Sequence, residues 1–130
     1  MRILFLDDDQ IRHDKFRELI NNRHEIHAVY TAKECIDCLK LRPKYDMIFL
    51  DHDLGGRQFV ESGYETGYQV AQWLQQHPAL QAPTMIIHSF NPIGAKQMNA
   101  CIPKAIRFPI NMVYTDIEGV LNEGLKWLKK

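Results

Sequence analysis

An open α/β fold, with a five-stranded parallel sheet wrapped by helices on both faces, is predicted by three features of the chain. Residues 3–6 (Ile-Leu-Phe-Leu) and 47–50 (Met-Ile-Phe-Leu) are apolar runs without alternation, the pattern of strands buried on both faces. Each run stops at carboxylates: Asp7, Asp8 and Asp9 after the first, Asp51 and Asp53 around His52 after the second. Strand-like and helix-like segments then alternate along all 130 residues, which argues for βα units and a parallel sheet. At this length the chain is expected to be one domain, 1–130.

The elements follow in order. After the first strand, Asp9 is read as the cap of a helix with the apolar stripe Ile11, Phe16, Leu19 and Ile20, ending near Asn21 and Asn22. A second strand covers 25–30. Thr31, with Glu34 three residues on, forms a capping box for the second helix, and Pro43 bars its continuation. Ala32, Cys35, Ile36 and Leu39 make that helix's inner stripe, so the pair Cys35 and Cys38 reads as packing. Zinc needs about four ligands, and no second pair has suitable spacing. The third strand runs over 46–50. Residues 55–66 form a long loop, and loops of that kind at a strand's C-terminal edge are usually functional. Val70, Ala71 and Leu74 face inward from a third helix that ends at His77-Pro78. The fourth strand is 84–88. Asn91-Pro92, an N-cap followed by proline, opens a fourth helix that stops before Pro103. Residues 104–108 make a short fifth strand. Thr115 and Glu118 are read as a second capping box opening a last helix that carries Ile117, Leu121, Leu125 and Leu128.

Composition narrows the function. Apolar residues at 45% and charged residues at 25% are ordinary for a globular protein. Sixteen basic residues balance sixteen acidic ones, so no global charge recruits duplex nucleic acid or a membrane. No stretch has the apolar length to span a bilayer. Three cysteines without framework spacing fit a reducing cytoplasm. Nothing in the sequence identifies a protein partner, and Trp73 and Trp127 suit a core or an interface equally.

The edge where the strands end is the candidate site, because open α/β sheets gather ligands there. Asp7, Asp8, Asp9, Asp51 and Asp53 at one edge crowd more negative charge than stays ionised unaided. Either some carboxylates hold protons or a divalent cation sits among them, and the cation is the expectation.

With these residues placed, the chain resembles the receiver-domain superfamily, the flavodoxin-like fold of two-component response regulators, over nearly its whole length. Asp7 and Asp8 match the acid pair closing strand one, and Asp51 the phospho-acceptor closing strand three. Asp53 falls where the family's backbone carbonyl binds magnesium, and Ser89 matches the hydroxyl residue closing strand four. Two features depart. The lysine that receivers carry before a proline at the end of strand five is Phe108, before Pro109. Arg107, one residue earlier, points to the opposite face unless the strand slips or bulges. The position of the receivers' switch aromatic is Ala105. His52 between two aspartates, the run His88-Ser89-Phe90-Asn91-Pro92 and Arg12 early in helix one look like a divergent group, the cyclic-phosphate processing receiver-like domains.

That resemblance implies a metal-dependent phosphoester hydrolase acting on cyclic phosphates or nucleotide ends. Its ligand would be a nucleotide, a cyclic-phosphate small molecule or an RNA end. Asp7, Asp8, Asp51 and Asp53 are the candidate ligands for Mg2+ or Mn2+. Asp51, His52 and His88 are the candidate catalytic residues, with His52 the first choice to protonate a leaving oxygen and His88 the second. Asp51 is open to three roles: nucleophile, metal ligand or phosphoacceptor. Arg12, Ser89 and Asn91 are the candidate phosphate-binding residues. Phe59, Tyr64 and Tyr68 are placed to stack on a base or to anchor the loop. The rival reading is a non-catalytic module that takes phosphate on Asp51 or senses a nucleotide.

Overall fold

The computed structural model describes residues 1–41, 44–56 and 60–128. Pro43 and Phe59 lie outside the described residues, as do the side chains of Trp127 and Leu128. Five strands form one parallel sheet in the order β2-β1-β3-β4-β5: β1 Arg2–Leu6, β2 Glu25–Val29, β3 Met47–Leu50, β4 Thr84–Ile87 and β5 Ile106–Arg107. The helices are α1 Gln10–Ile20, α2 Ala32–Leu41, α3 Gly67–Gln76, α4 Pro92–Cys101, α5 Ile110–Thr115 and α6 Ile117–Leu128. This is the doubly wound parallel architecture that the apolar runs predict. Every residue of Ile3–Leu6 and Met47–Leu50 is fully buried, because helices cover both faces.

Strand alternation divides the core into two layers. Leu4, Leu6, Ile48, Leu50, Met85 and Ile87 pack against α2, α3 and α4. Phe5, Met47, Phe49 and Ile86 pack against α1, α5 and α6 through Phe16, Ile20, Val113 and Leu121. Among the described residues no helix is long and apolar enough to cross a membrane.

Two sequence expectations are corrected. Ile11 is 78% exposed, and the buried face of α1 is His13, Phe16 and Ile20. Those spacings of three and four follow one helical face, whereas Ile11 to Phe16 does not. The second correction lies at the C-terminal end. Thr115 is not a cap but the last residue of a separate helix, α5, and its hydroxyl donates back to the Asn111 carbonyl. Asp116 caps α6 instead, its Oδ1 accepting the Gly119 N–H at 3.1 Å. By contrast, Thr31 Oγ1 accepts the Glu34 N–H at 3.1 Å as the capping box requires. Asp9 caps α1 by accepting the Ile11 N–H at 2.8 Å.

Candidate functional site

The parallel register builds the site. Phe5, Phe49 and Ile86 lie side by side on β1, β3 and β4, and Leu6, Leu50 and Ile87 follow in the next row. Asp51 N–H then donates to the Leu6 carbonyl and His88 N–H to the Leu50 carbonyl. One row beyond the strands therefore holds Asp7, Asp51 and His88, all with the parity of Phe5, Phe49 and Ile86. Their ligand atoms lie within 4.8 Å of one another, and all three residues are buried.

His88 is held from two sides. Its ring stacks on Phe5 with centroids 5.0 Å apart and planes 2° from parallel. Its Nε2 lies 3.0 Å from Asp7 Oδ2. Arg12 reaches the row from α1, with Nη1 3.2 Å from Asp7 Oδ2 and 3.5 Å from Asp51 Oδ2. His13, which the sequence reading assigns no role, holds the end of β1: its Nε2–H donates to the Asp7 carbonyl at 2.7 Å. Tyr114 of α5 donates its hydroxyl to the Arg12 carbonyl at 2.9 Å. The signal for His13 is its spacing from Phe16 and Ile20; no local pattern marks Tyr114.

The electrostatics divide the two carboxylates. Burial pushes both upward. For Asp7 the hydrogen bond and charge of His88, the Asp9 N–H and the Arg12 cation outweigh it, leaving the carboxyl below its ordinary value. For Asp51 burial prevails, reinforced by the neighbouring Asp7 charge and only partly opposed by His88, Arg12 and the His52 N–H, so it rises to about 7. Two carboxylates this close do not both ionise cheaply without a cation. Asp51 Oδ2 and His88 Nδ1 are buried with no hydrogen-bond partner among the described residues. A buried carboxylate oxygen that has the Arg12 ion pair but no hydrogen bond, beside a second carboxylate, fits a divalent metal. Oxygen donors suit Mg2+ and Mn2+.

The other candidates are distributed around this row. Asp8 is outside the close set; its Oδ2 accepts the Gly56 N–H and fixes the start of the β3–α3 loop. His52 and Asp53 are turned away. The chain leaves the strand after Leu50, and the fully buried His52 ring packs against Gly94 of α4, on the face opposite Asp51. His52 Nδ1 lies 2.9 Å from Asp53 Oδ1, and Nε2 lies 2.8 Å from Ser62 Oγ. Asn91 Nδ2 donates to Asp53 Oδ1 and to the Val60 carbonyl, both at 3.0 Å, while Asn91 Oδ1 caps α4 through the Gly94 N–H at 2.9 Å. Ser89 Oγ accepts the Asn91 N–H at 3.0 Å. His52, Asp53, Ser62 and Asn91 thus form one network that ties the β3–α3 loop to α4. The structure brings Arg12 to the carboxylates and leaves the Asp53 carboxylate in the other network.

The receivers' lysine position is apolar here in three dimensions as well. Ile86 pairs with Ile106 and Ile87 with Arg107, and Phe108 N–H donates to the Ile87 carbonyl at 2.9 Å. Pairing runs on without a bulge, so Phe108 continues the His88 row, and Arg107 is exposed.

A family model described as the cyclic-phosphate processing receiver domain matches residues 2–104. Solved structures of similar fold include the Mn(2+)-bound form of the response regulator Rcp1, at 16% identity and TM-score 0.66, covering 88% of this chain and 90% of that one. The phosphorylated cyanobacterial phytochrome response regulator RcpA is 16% identical, with TM-score 0.74 over 95% and 93%. The N-terminal domain of a response regulator/sensory box/GGDEF protein from Carboxydothermus hydrogenoformans is 14% identical, with TM-score 0.71 over 99% and 97%. At these identities the likeness establishes the fold. No curated protein sequence matches the chain.

Proposed function

The chain belongs to the cyclic-phosphate processing receiver domain family, and we propose that it is a metal-dependent phosphoester hydrolase acting on cyclic phosphates or nucleotide ends. The observation that carries this reading is the buried row Asp7–Asp51–His88 with a carboxylate oxygen that no hydrogen bond satisfies. Asp7 and Asp51 would hold Mg2+ or Mn2+, with Asp8 alongside. Such a cation supplies positive charge that polarises a phosphoryl oxygen.

The chain's own groups divide the remaining work. Arg12 presents a planar fork at the mouth of the row and binds phosphoryl oxygens, a geometry suited to bidentate contact. Phe5 and Asp7 fix the plane and reach of the His88 ring. Hydrolysis of a cyclic ester joins a water oxygen to phosphorus and breaks one ring P–O bond, and the leaving oxygen then needs a proton. His88 is the histidine in the row with the carboxylates, so it takes the role of proton donor there. His52 and Asp53 act at one remove, by fixing the loop that carries Gly56 against Asp8.

The rival is a receiver-like phosphoacceptor or nucleotide sensor. An apolar residue, Phe108, at the receivers' lysine position disfavours a stable phosphoaspartate. The test is phosphorus NMR of the protein with Mg2+ or Mn2+ and a panel of 2′,3′- and 3′,5′-cyclic nucleotides, beside Asp51→Asn. Ring opening by the parent protein, abolished by chelation and by the substitution, is the expected result. Ligand shifts with no turnover would support the sensor and overturn the hydrolase.

A further inference from the structure

A groove of about 790 Å³ lies between α2 and α3, and Thr31, Leu54 and Gly55 line it just beyond the ends of β2 and β3. The connection to the carboxylates is covalent and short. Gly55 lines the groove, and Gly56, the next residue, donates its N–H to Asp8, which follows Asp7. A ligand whose phosphate reaches the row can therefore extend over the start of the β3–α3 loop into the groove.

The lining has two parts. Ile36 and Leu54, members of the core layer under α2 and α3, form an apolar floor. Tyr64 lines the groove with 81% of its surface exposed, which leaves its ring free to stack on a ligand. Gln69 accepts the Glu65 N–H on its Oε1 at 2.9 Å, and its Nε2 has no hydrogen-bond partner among the described residues. Trp73 is stacked on His77 with centroids 4.1 Å apart, which fixes the indole in the wall. The volume is in the range of small-molecule sites, and an apolar floor with a few polar groups at the rim is how such sites orient a ligand. An acyl chain would leave the rim donors unpaired. A heteroaromatic base has an apolar face for Tyr64 and polar edges for Gln69.

We infer that this groove binds the nucleoside part of the ligand whose phosphoester sits at Asp7 and Asp51, so that the substrate class is nucleotides rather than base-free cyclic phosphates. The inference rests on the functional reading above and narrows it.

The experiment uses stable probes, so that binding is read apart from turnover. Adenosine 3′-monophosphate and inorganic phosphate are titrated separately into the Mg2+-containing protein and followed by nitrogen–proton NMR. The Trp73 indole N–H is assigned with Trp73→Phe, and the Gln69 side-chain amide is followed beside it. The nucleotide is expected to bind at least about 10-fold tighter than phosphate and to shift both groups, while phosphate alone shifts neither. Tyr64→Ala, at an exposed position that folding does not depend on, is expected to weaken nucleotide binding about 5- to 10-fold, the usual scale of base–aromatic stacking, and to leave phosphate binding unchanged. Equal affinities with shifts confined to the carboxylate row would overturn the inference. So would groove shifts that depend on protein concentration alone, which would make a second copy of the chain the occupant. Base-dependent binding without ring opening of cyclic nucleotides would keep the groove and refute the hydrolase. Ring opening that ignores the base would do the reverse.

Discussion

Replacing Asp51 by asparagine is expected to stabilise the metal-free protein strongly at pH 8 and much less at pH 5. Asp51 is 3% exposed, and burial raises its carboxyl from 3.8 to about 7. In the unfolded chain the group ionises near its ordinary value. Below pH 3.8 both states are protonated and Asp51 contributes no pH dependence. As pH rises toward 7 the unfolded state loses its proton first, so folding is progressively penalised, and above 7 the penalty is complete. At pH 8 it amounts to about 4 kcal/mol, and at pH 5 to about 2 kcal/mol. Asparagine carries no charge and retains an oxygen for the His52 N–H, which donates to Asp51 Oδ1 at 2.9 Å. The stability gap between variant and parent is therefore expected to widen by about 2–3 kcal/mol from pH 5 to pH 8. Asp7, held below its ordinary value, is ionised at both pH values and cancels from the comparison. The assay is urea unfolding of both proteins in excess chelator at the two pH values. A gap that does not change with pH, or a variant less stable than the parent at pH 8, would refute the reasoning. Adding Mn2+ at 100 times its Kd is expected to narrow the gap at pH 8 by about 2.7 kcal/mol, since a ligand stabilises the form that binds it by that amount.

Three further outcomes follow from individual contacts. In Gly94→Ala the new methyl carbon would sit 2.4 Å from the His52 ring, which is fixed by Asp53 and Ser62; a loss of about 2 kcal/mol or more in chemical unfolding is expected, and an unchanged midpoint would mean that the ring is not pinned. Asp116→Ala is expected to cost about 1 kcal/mol as a lost helix cap, with Glu118→Ala costing less; the opposite ranking would restore the capping box read from the sequence. Arg12→Ala removes the cation beside both buried carboxylates and is expected to destabilise the metal-free protein at pH 8 by about 1–3 kcal/mol; equal loss at pH 8 with saturating Mn2+ would argue that Arg12 acts only through packing.

Much of this was legible in the sequence because it depends on local pattern. Buried parallel strands announce themselves as unalternating runs, and the caps at Asp9, Thr31 and Asn91 follow from residue type and spacing. The carboxylates at the ends of the first and third strands were equally visible. What the sequence did not yield depends on register. That His88 shares a row with Asp7 and Asp51 follows only once β1, β3 and β4 are aligned residue for residue. Strand alternation puts the neighbours Asp51 and His52 on opposite faces, and the His52 ring packs against Gly94 of α4. The Asp53 carboxylate could not be placed without knowing that Asn91 and Val60 come to it from other elements. The α5–α6 break was obscured because Thr115 and Glu118 imitate a capping box while the neighbouring Asp116 supplies the cap.

The metal centre is tested most directly by Mn2+ electron paramagnetic resonance, titrating the ion into the parent protein and into Asp7→Asn, Asp51→Asn and Asp53→Asn. One bound Mn2+ per chain is expected in the parent and in Asp53→Asn, with affinity falling at least about 10-fold in each of the other two. Affinity that survives both row substitutions, or that is lost with Asp53 alone, would contradict a metal held by Asp7 and Asp51.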